Sequence, residues 1–159
     1  MEKNKRYPAD FASETWAKDG MTFYLVKHSG LGHWCGYVEF TQRPCKQDGY
    51  WGILTYVPVH GGITYAEPTA VGGMVYGFDC NHWHDEHNPD LTSIPWLKAE
   101  CERMGEAIKI AGQWEEFYSM AKDNDARANV IDAYMEALEV SFDVTANLGI
   151  MINVLCGCL

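Results

Sequence analysis

The chain has 159 residues, of which 47% are hydrophobic and 21% are charged, and its formal net charge is −10. This length and composition predict one folded domain with a hydrophobic core and exclude global disorder. The acidic balance, without any block of lysine and arginine, argues against duplex or single-strand binding, so we predict no nucleic-acid partner. A small anionic ligand is compatible with this charge, because glycine-rich backbone can hold one within an acidic protein.

The N-terminus, MEKNKRYPADF, is polar and has no apolar segment of the kind that secretory leaders carry. We therefore expect a cytoplasmic protein in which the six cysteines are reduced, buried thiols rather than disulfides. No CxxC pair provides the common zinc-finger spacing. The final apolar run, residues 147–159, is too short to span a bilayer, and we predict no membrane partner.

Strand signals dominate the first half of the chain. Aromatic and β-branched runs bounded by turn residues predict strands over residues 21–28, 33–40, 50–57, 59–65 and 74–78. Before them, Asp10 is predicted to cap a short helix over residues 11–18 that ends at Gly20. Five short strands joined by short turns imply an antiparallel sheet, because parallel pairing needs longer crossovers.

The apolar period changes to that of helices in the second half. A helix is predicted from a cap at Thr92 or Ser93 to a stop at Gly112, followed by a shorter helix over residues 114–121. A third helix starts at Asp123 or Asp125, and a fourth apolar segment, residues 148–155, is expected in the core or at a contact between copies of the chain. The prediction is one α+β domain over residues 1–159, sheet-rich over 1–90 and helical over 91–159, that forms a homo-oligomer through its helical part.

The densest group of potential metal ligands is the run HWHDEH, residues 82–87, with His82, His84 and His87 as candidates. It approaches the HxHxDH signature of the metallo-β-lactamase fold. Glu86 stands where that signature has aspartate, however, and no histidine follows His87, so the likeness does not extend to that fold's remaining ligands.

A simpler metal site is also compatible with the sequence. Cys80, His82 and His84 share one face of an extended backbone, and His60 or Asp79 could complete the set, which makes a divalent metal a candidate cofactor. The alternative is a polar loop of solvated histidines without any metal.

The segment His60-Gly61-Gly62 has two interpretations. Structurally, Gly-Gly is a turn that tolerates positive φ. Functionally, it leaves backbone N–H groups that can approach a phosphate, with His60 beside Thr64 and Asp79 as an acid–base group. Nucleophilic catalysis has less support, since Asp79 next to Cys80 would raise the thiol pKa.

Three blocks, WCGYV at 34–38, VHGGIT at 59–64 and GFDCNH at 77–82, resemble in this order a family of small phage and prophage proteins of unassigned function. The resemblance covers roughly residues 32–111. By analogy with small phage proteins that act on nucleotide signals of bacterial immunity, it implies a nucleotide-derived small-molecule ligand in the host cytoplasm. The residues expected to contact that ligand are His60, Gly61, Gly62, Thr64, Asp79 and His82, with Trp34, Tyr65 and Trp83 stacking on a base.

Two functions from different classes follow. The first is a non-catalytic protein that sequesters this ligand. The second is a hydrolase or phosphodiesterase that uses His60, Asp79 and His82 as catalytic residues, with or without a divalent metal. A structural adaptor is the third, simpler alternative.

Overall fold

Five antiparallel strands form one sheet in the order β1-β2-β3-β5-β4. The computed structural model describes the backbone of residues 7–157 and the side chains of residues 7–143. The strands are β1 Glu14–Lys18, β2 Met21–Lys27, β3 Trp34–Phe40, β4 Tyr65–Pro68 and β5 Met74–Asp79. The five-stranded antiparallel sheet predicted for the first half is confirmed.

The first strand lies where the sequence predicted a helix over residues 11–18, so that prediction is wrong. A 3₁₀ helix, Pro8–Phe11, precedes β1, and β1 pairs with β2 through a turn in which Asp19 and Gly20 have φ of +52° and +77°. Asp-Gly with two positive φ angles is the favoured two-residue hairpin turn. Gly20 therefore closes a hairpin and does not end a helix.

The predicted strands over residues 50–57 and 59–65 are also wrong. Residues Gly52–Tyr56 form a 3₁₀ helix, and strand pairing resumes only at Tyr65, the first residue of β4. The apolar residues that suggested strands are instead buried anchors of a segment that packs against the first α-helix. They are Ile53, Leu54, Val57, Val59 and Ile63.

Two long helices, α1 Ile94–Met120 and α2 Asn124–Gly157, replace the three to four that were predicted. Helix α1 begins where Ser93 accepts a hydrogen bond from the Trp96 N–H, as one of the predicted caps requires. It continues through Gly112, where the close approach of the Pro44 carbonyl leaves no room for a Cβ and so requires a glycine. Helix α2 includes the predicted apolar segment 148–155, whose side chains lie outside the described residues.

The hydrophobic core lies between one face of the sheet and α1. Alternate residues of the central strands, among them Phe23, Val38 and Tyr76, point to this face and are fully buried. Helix α2 packs against α1, where the Tyr134 hydroxyl donates to the Ala107 carbonyl at 3.0 Å. The architecture is therefore α+β, with the helices on one face of the sheet. In the part of the chain that the structure describes, no helix is long and apolar enough to cross a membrane.

Candidate functional site

His60 lies in a tight turn that the core holds on both sides. The Gly62 N–H donates to the Val59 carbonyl at 2.9 Å, and Gly61 and Gly62 have φ of +68° and +81°. Val59 and Ile63, on either side, are buried. The Gly-Gly pair thus makes a turn of positive φ, and the Gly62 N–H is engaged within that turn.

His82 and Asp85 form a second turn, directly after β5. The Asp85 N–H donates to the His82 carbonyl at 3.0 Å, and the His82 N–H donates to Asp85 Oδ2 at 2.7 Å. This turn places the carboxylate beside both imidazoles: His60 Nε2 lies 3.1 Å from each Asp85 oxygen, and His82 Nδ1 lies 3.2 Å from Oδ2. Two imidazoles from separate segments therefore converge on one carboxylate.

The cluster is partly open to solvent. The side chains of Asp85, His60 and His82 are 11%, 21% and 35% exposed. Burial alone would raise the pKa of Asp85, but hydrogen bonds from the His82 N–H, His60 and His82 outweigh it, and the pKa is lowered. Asp85 is consequently ionised at neutral pH, and each imidazole keeps a second ring nitrogen for another partner.

Neighbouring residues fix the two rings. The His82 ring lies against Gly61, where an added Cβ would overlap it. The His60 and His82 rings meet edge to face with centroids 5.4 Å apart, and the Trp96 ring, from the first turn of α1, lies 6.1 Å from His60 in the same manner. Gly61 thus leaves room for the His82 ring, and the Trp96 ring packs against His60 from α1.

The spacing of the three side chains is suitable for one metal ion. Among the described residues, His60, His82 and Asp85 are the group whose ligand atoms all lie within 4.8 Å of one another. Ligand atoms that share an ion at about 2.0–2.1 Å lie about 2.8–3.0 Å apart in octahedral geometry and about 3.3–3.4 Å apart in tetrahedral geometry. The N···O separations of 3.1 and 3.2 Å lie between these two values, so small movements of the side chains would bring them to either geometry. Two histidines and one carboxylate with open positions are a known ligand set for transition metals.

No protein-family model, curated protein or solved structure matched this chain. The resemblance to the phage family stays a prediction.

Asp79 lies at the edge of this cluster. Its Oδ1 is 3.9 Å from His82 Nδ1 and accepts from the Asn81 N–H at 3.1 Å. Its Oδ2 accepts from the Thr64 hydroxyl at 2.8 Å. Two hydrogen bonds thus orient a carboxylate beside His82. The structure brings together His60, His82 and Asp79 in this order along the site, with Asp85 between the histidines.

The aromatic residues predicted to stack on a base lie in three different environments. Trp34 packs partly buried on the core, with the Lys27 ammonium 5.8 Å from its ring. Tyr65 contacts Tyr37 edge to face across the sheet. Trp83 is 88% exposed. These three rings do not form a common cage.

The other predicted metal ligands lie outside the cluster. His84 has a left-handed backbone with φ of +76°, which breaks the extended geometry that would have aligned it with Cys80 and His82. The His84 ring is exposed and contacts Trp83, while His87 is exposed beside Glu86.

Cys80 points into the core and is buried. Burial, with a smaller contribution from Asp85, raises the pKa of its thiol to about 12, so it is a neutral thiol and not a thiolate nucleophile at neutral pH. All four cysteines with described side chains, Cys35, Cys45, Cys80 and Cys101, are buried free thiols.

Sequence reasoning missed three residues of the site: Asp85, Trp96 and Glu100. Asp85 was visible as the third residue after His82, a spacing at which a carboxylate can bond back to a backbone N–H. Trp96 and Glu100 lie in α1, four residues apart, and reach His60 across the fold. Their role has no local signal in the sequence.

Proposed function

We propose that this protein is a metal-dependent hydrolase whose single divalent ion is bound by His60 Nε2, His82 Nδ1 and the Asp85 carboxylate. The observation that carries the proposal is the convergence of two imidazoles on one ionised carboxylate at metal-ligand spacing, in a site that solvent reaches. Three protein ligands leave coordination positions for water and substrate, which distinguishes catalytic sites from closed structural ones.

An ion held by His60, His82 and Asp85 would supply Lewis acidity, and the neighbouring side chains would orient the substrate and accept protons. Neutral imidazoles at His60 and His82 and an anionic Asp85 would leave a net positive site that attracts an anionic or polarised group of the substrate. Asp79, oriented by Thr64 and lying 3.9 Å from His82 Nδ1, is placed to take a proton from the attacking water. This assigns different tasks to the two carboxylates: Asp85 binds the ion, and Asp79 is the general base.

A phosphodiester of a small nucleotide-derived molecule is the substrate to test first, on the strength of the resemblance described above. Sequestration without cleavage remains a prediction of the sequence. The two are distinguished by product: a hydrolase converts a cyclic dinucleotide, whereas a sequestering protein returns it intact.

Calorimetric titration of the metal-free protein with Zn²⁺ and Mn²⁺ tests the metal site. We expect one ion per chain, and we expect Asp85→Asn and His82→Ala to lose more affinity than the roughly 10–100-fold that removal of an outer-shell partner costs. His84→Ala and His87→Ala are matched controls, since they remove neighbouring exposed imidazoles and should bind as the wild type does. Equal binding by all four variants, or none by the wild type, would refute the site.

Hydrolysis of bis(p-nitrophenyl) phosphate and of cyclic dinucleotides, with the preferred ion and with EDTA, tests the reaction. Asp79→Asn should keep metal affinity while kcat falls by about 10²–10⁴-fold, the usual contribution of a general base. If EDTA leaves turnover unchanged, or if no substrate is converted, the hydrolase proposal fails.

A further inference from the structure

We propose that Glu100 is a positioning residue that fixes His60 for metal binding. The role in metal binding rests on the function proposed above, but the hydrogen bond between Glu100 and the His60 N–H can be measured without any metal. Glu100 is 4% exposed and is the buried charged residue among the side chains that the structure describes. A carboxylate removed from water this completely is costly unless it is hydrogen-bonded and paired, so its partners indicate its task.

Both oxygens of Glu100 have partners. Oε1 accepts from the His60 N–H at 2.8 Å, and Oε2 accepts from the Arg103 guanidinium at 2.6 Å. The Arg103 side chain is 48% exposed, so it neutralises the carboxylate from the solvent side. The other oxygen is thereby left to hold the backbone of the His60 turn through a charge-assisted hydrogen bond.

Helix α1 holds His60 at two points. Glu100 binds the backbone, and Trp96, one helical turn earlier on the same face, contacts the imidazole ring edge to face. The intervening residue Leu97 and the following Cys101 are fully buried against the sheet, so this part of α1 is anchored in the core. The His60 turn, which contains two glycines, therefore takes its rigidity from α1.

Two substitutions of Glu100 distinguish the role of its hydrogen-bond acceptor from the role of its negative charge. Glutamine keeps an acceptor that can reach the His60 N–H, while Arg103 can turn to solvent. Alanine leaves that N–H and the guanidinium without their acceptor. We therefore expect Glu100→Gln to retain most of the function and Glu100→Ala to lose it. Glu102→Ala is the matched control, since it removes a carboxylate from the same helix that binds Trp16 and Lys18 instead of His60.

Hydrogen exchange of the His60 amide in metal-free protein tests the bond. The amide should be protected in the wild type, in Glu100→Gln and in Glu102→Ala, and it should exchange at least tenfold faster in Glu100→Ala. An unchanged exchange rate in Glu100→Ala would overturn the inference, whatever the protein does with metals.

Zn²⁺ titration of the same variants, at a temperature where urea denaturation shows each to be folded, tests positioning for the metal. Glu100→Ala should bind about 10–100-fold more weakly, as expected for loss of an outer-shell partner, with Glu100→Gln within a few-fold of the wild type. Wild-type affinity in Glu100→Ala would overturn the positioning role. A wild type that binds no metal would instead refute the proposed function, and the exchange result would still decide the bond.

Discussion

The contact between Gly61 and the His82 ring gives the site a steric test at one residue. Gly61 and Gly62 are adjacent and both have positive φ, so alanine is strained at either position, at a cost of roughly 1 kcal/mol. Only at Gly61 does an added Cβ overlap the His82 ring; at Gly62 nothing lies within 4 Å. Gly61→Ala should thus displace an imidazole from Asp85, whereas Gly62→Ala should not.

Zn²⁺ titration and urea denaturation of the two alanine variants measure this difference. We expect similar losses of unfolding free energy, but a loss of Zn²⁺ affinity of at least about tenfold in Gly61→Ala alone. Equal Zn²⁺ affinities in the two variants would show that a Cβ at residue 61 does not displace the His82 ring.

The sequence predicted which residues belong to the site better than it predicted which of them contact one another. Imidazole and carboxylate side chains close to glycines are typical of a functional site, and on this basis the sequence predicts His60, Asp79 and His82. The carboxylate between the histidines is Asp85, however, and it reaches them because the chain turns back after β5. The sequence predicts that His84 aligns with His82, but the left-handed backbone of His84 breaks that alignment. Nothing in the sequence indicates a positive φ at this histidine.

At the scale of elements, the errors have physical causes that differ. The Asp19-Gly20 turn had a readable signal, because Asp-Gly between alternating apolar residues favours a hairpin. The segment of residues 50–63 had none, since residues buried against a helix and residues buried in a strand show the same short apolar runs. Gly112 was misread as a helix stop because a glycine required by the close approach of Pro44 looks identical in sequence.

Two buried tyrosines differ in whether their hydroxyl groups have a hydrogen-bond partner, and one of them joins α2 to α1. Tyr134 donates a hydrogen bond to α1, at the Ala107 carbonyl. The Tyr76 hydroxyl, on β5, is buried without a hydrogen-bond partner among the described residues. A satisfied buried hydroxyl stabilises by about 1 kcal/mol, whereas an unsatisfied one costs about 1–3 kcal/mol.

Urea denaturation of Tyr134→Phe and Tyr76→Phe should therefore give opposite results. We expect Tyr134→Phe to lower the free energy of unfolding by about 1 kcal/mol, and Tyr76→Phe to leave it unchanged or raise it. A larger loss in Tyr76→Phe than in Tyr134→Phe would mean that the Tyr76 hydroxyl has a partner in solution, such as a bound water.

The whole molecule should lose stability in alkaline solution. Burial raises the pKa of Cys35, and it raises the pKa of Cys45 and of Cys80 to about 12 each. The pKa values of Cys101 and of the tyrosines 24, 37, 76 and 134 are raised in the same direction, chiefly by burial. Above pH 9 the unfolded chain loses thiol protons that the folded chain keeps, so unfolding becomes more favourable as pH rises.

Urea denaturation at pH 7 and pH 10, with a reductant present, measures this effect. The free energy of unfolding should fall by about 1.4 kcal/mol in total between these two pH values for each thiol that titrates only when unfolded, because the full slope is reached only above the unfolded pKa near 9. The slope against urea should stay constant, since the surface exposed on unfolding does not change. Equal stability at the two pH values would contradict the burial of these thiols.

The strand order has a consequence for the order in which contacts form during folding. Strands β1, β2 and β3 are joined by short turns, as are β4 and β5, whereas β5 pairs with β3 across a longer stretch of chain that contains the His60 turn and β4. The cluster of His60, His82 and Asp85 needs the His60 turn, the turn after β5 and helix α1 in place together, so we expect it to form late in folding. An ion bound there would hold the finished structure together without helping to assemble it, so it should slow unfolding and leave the rate of folding unchanged.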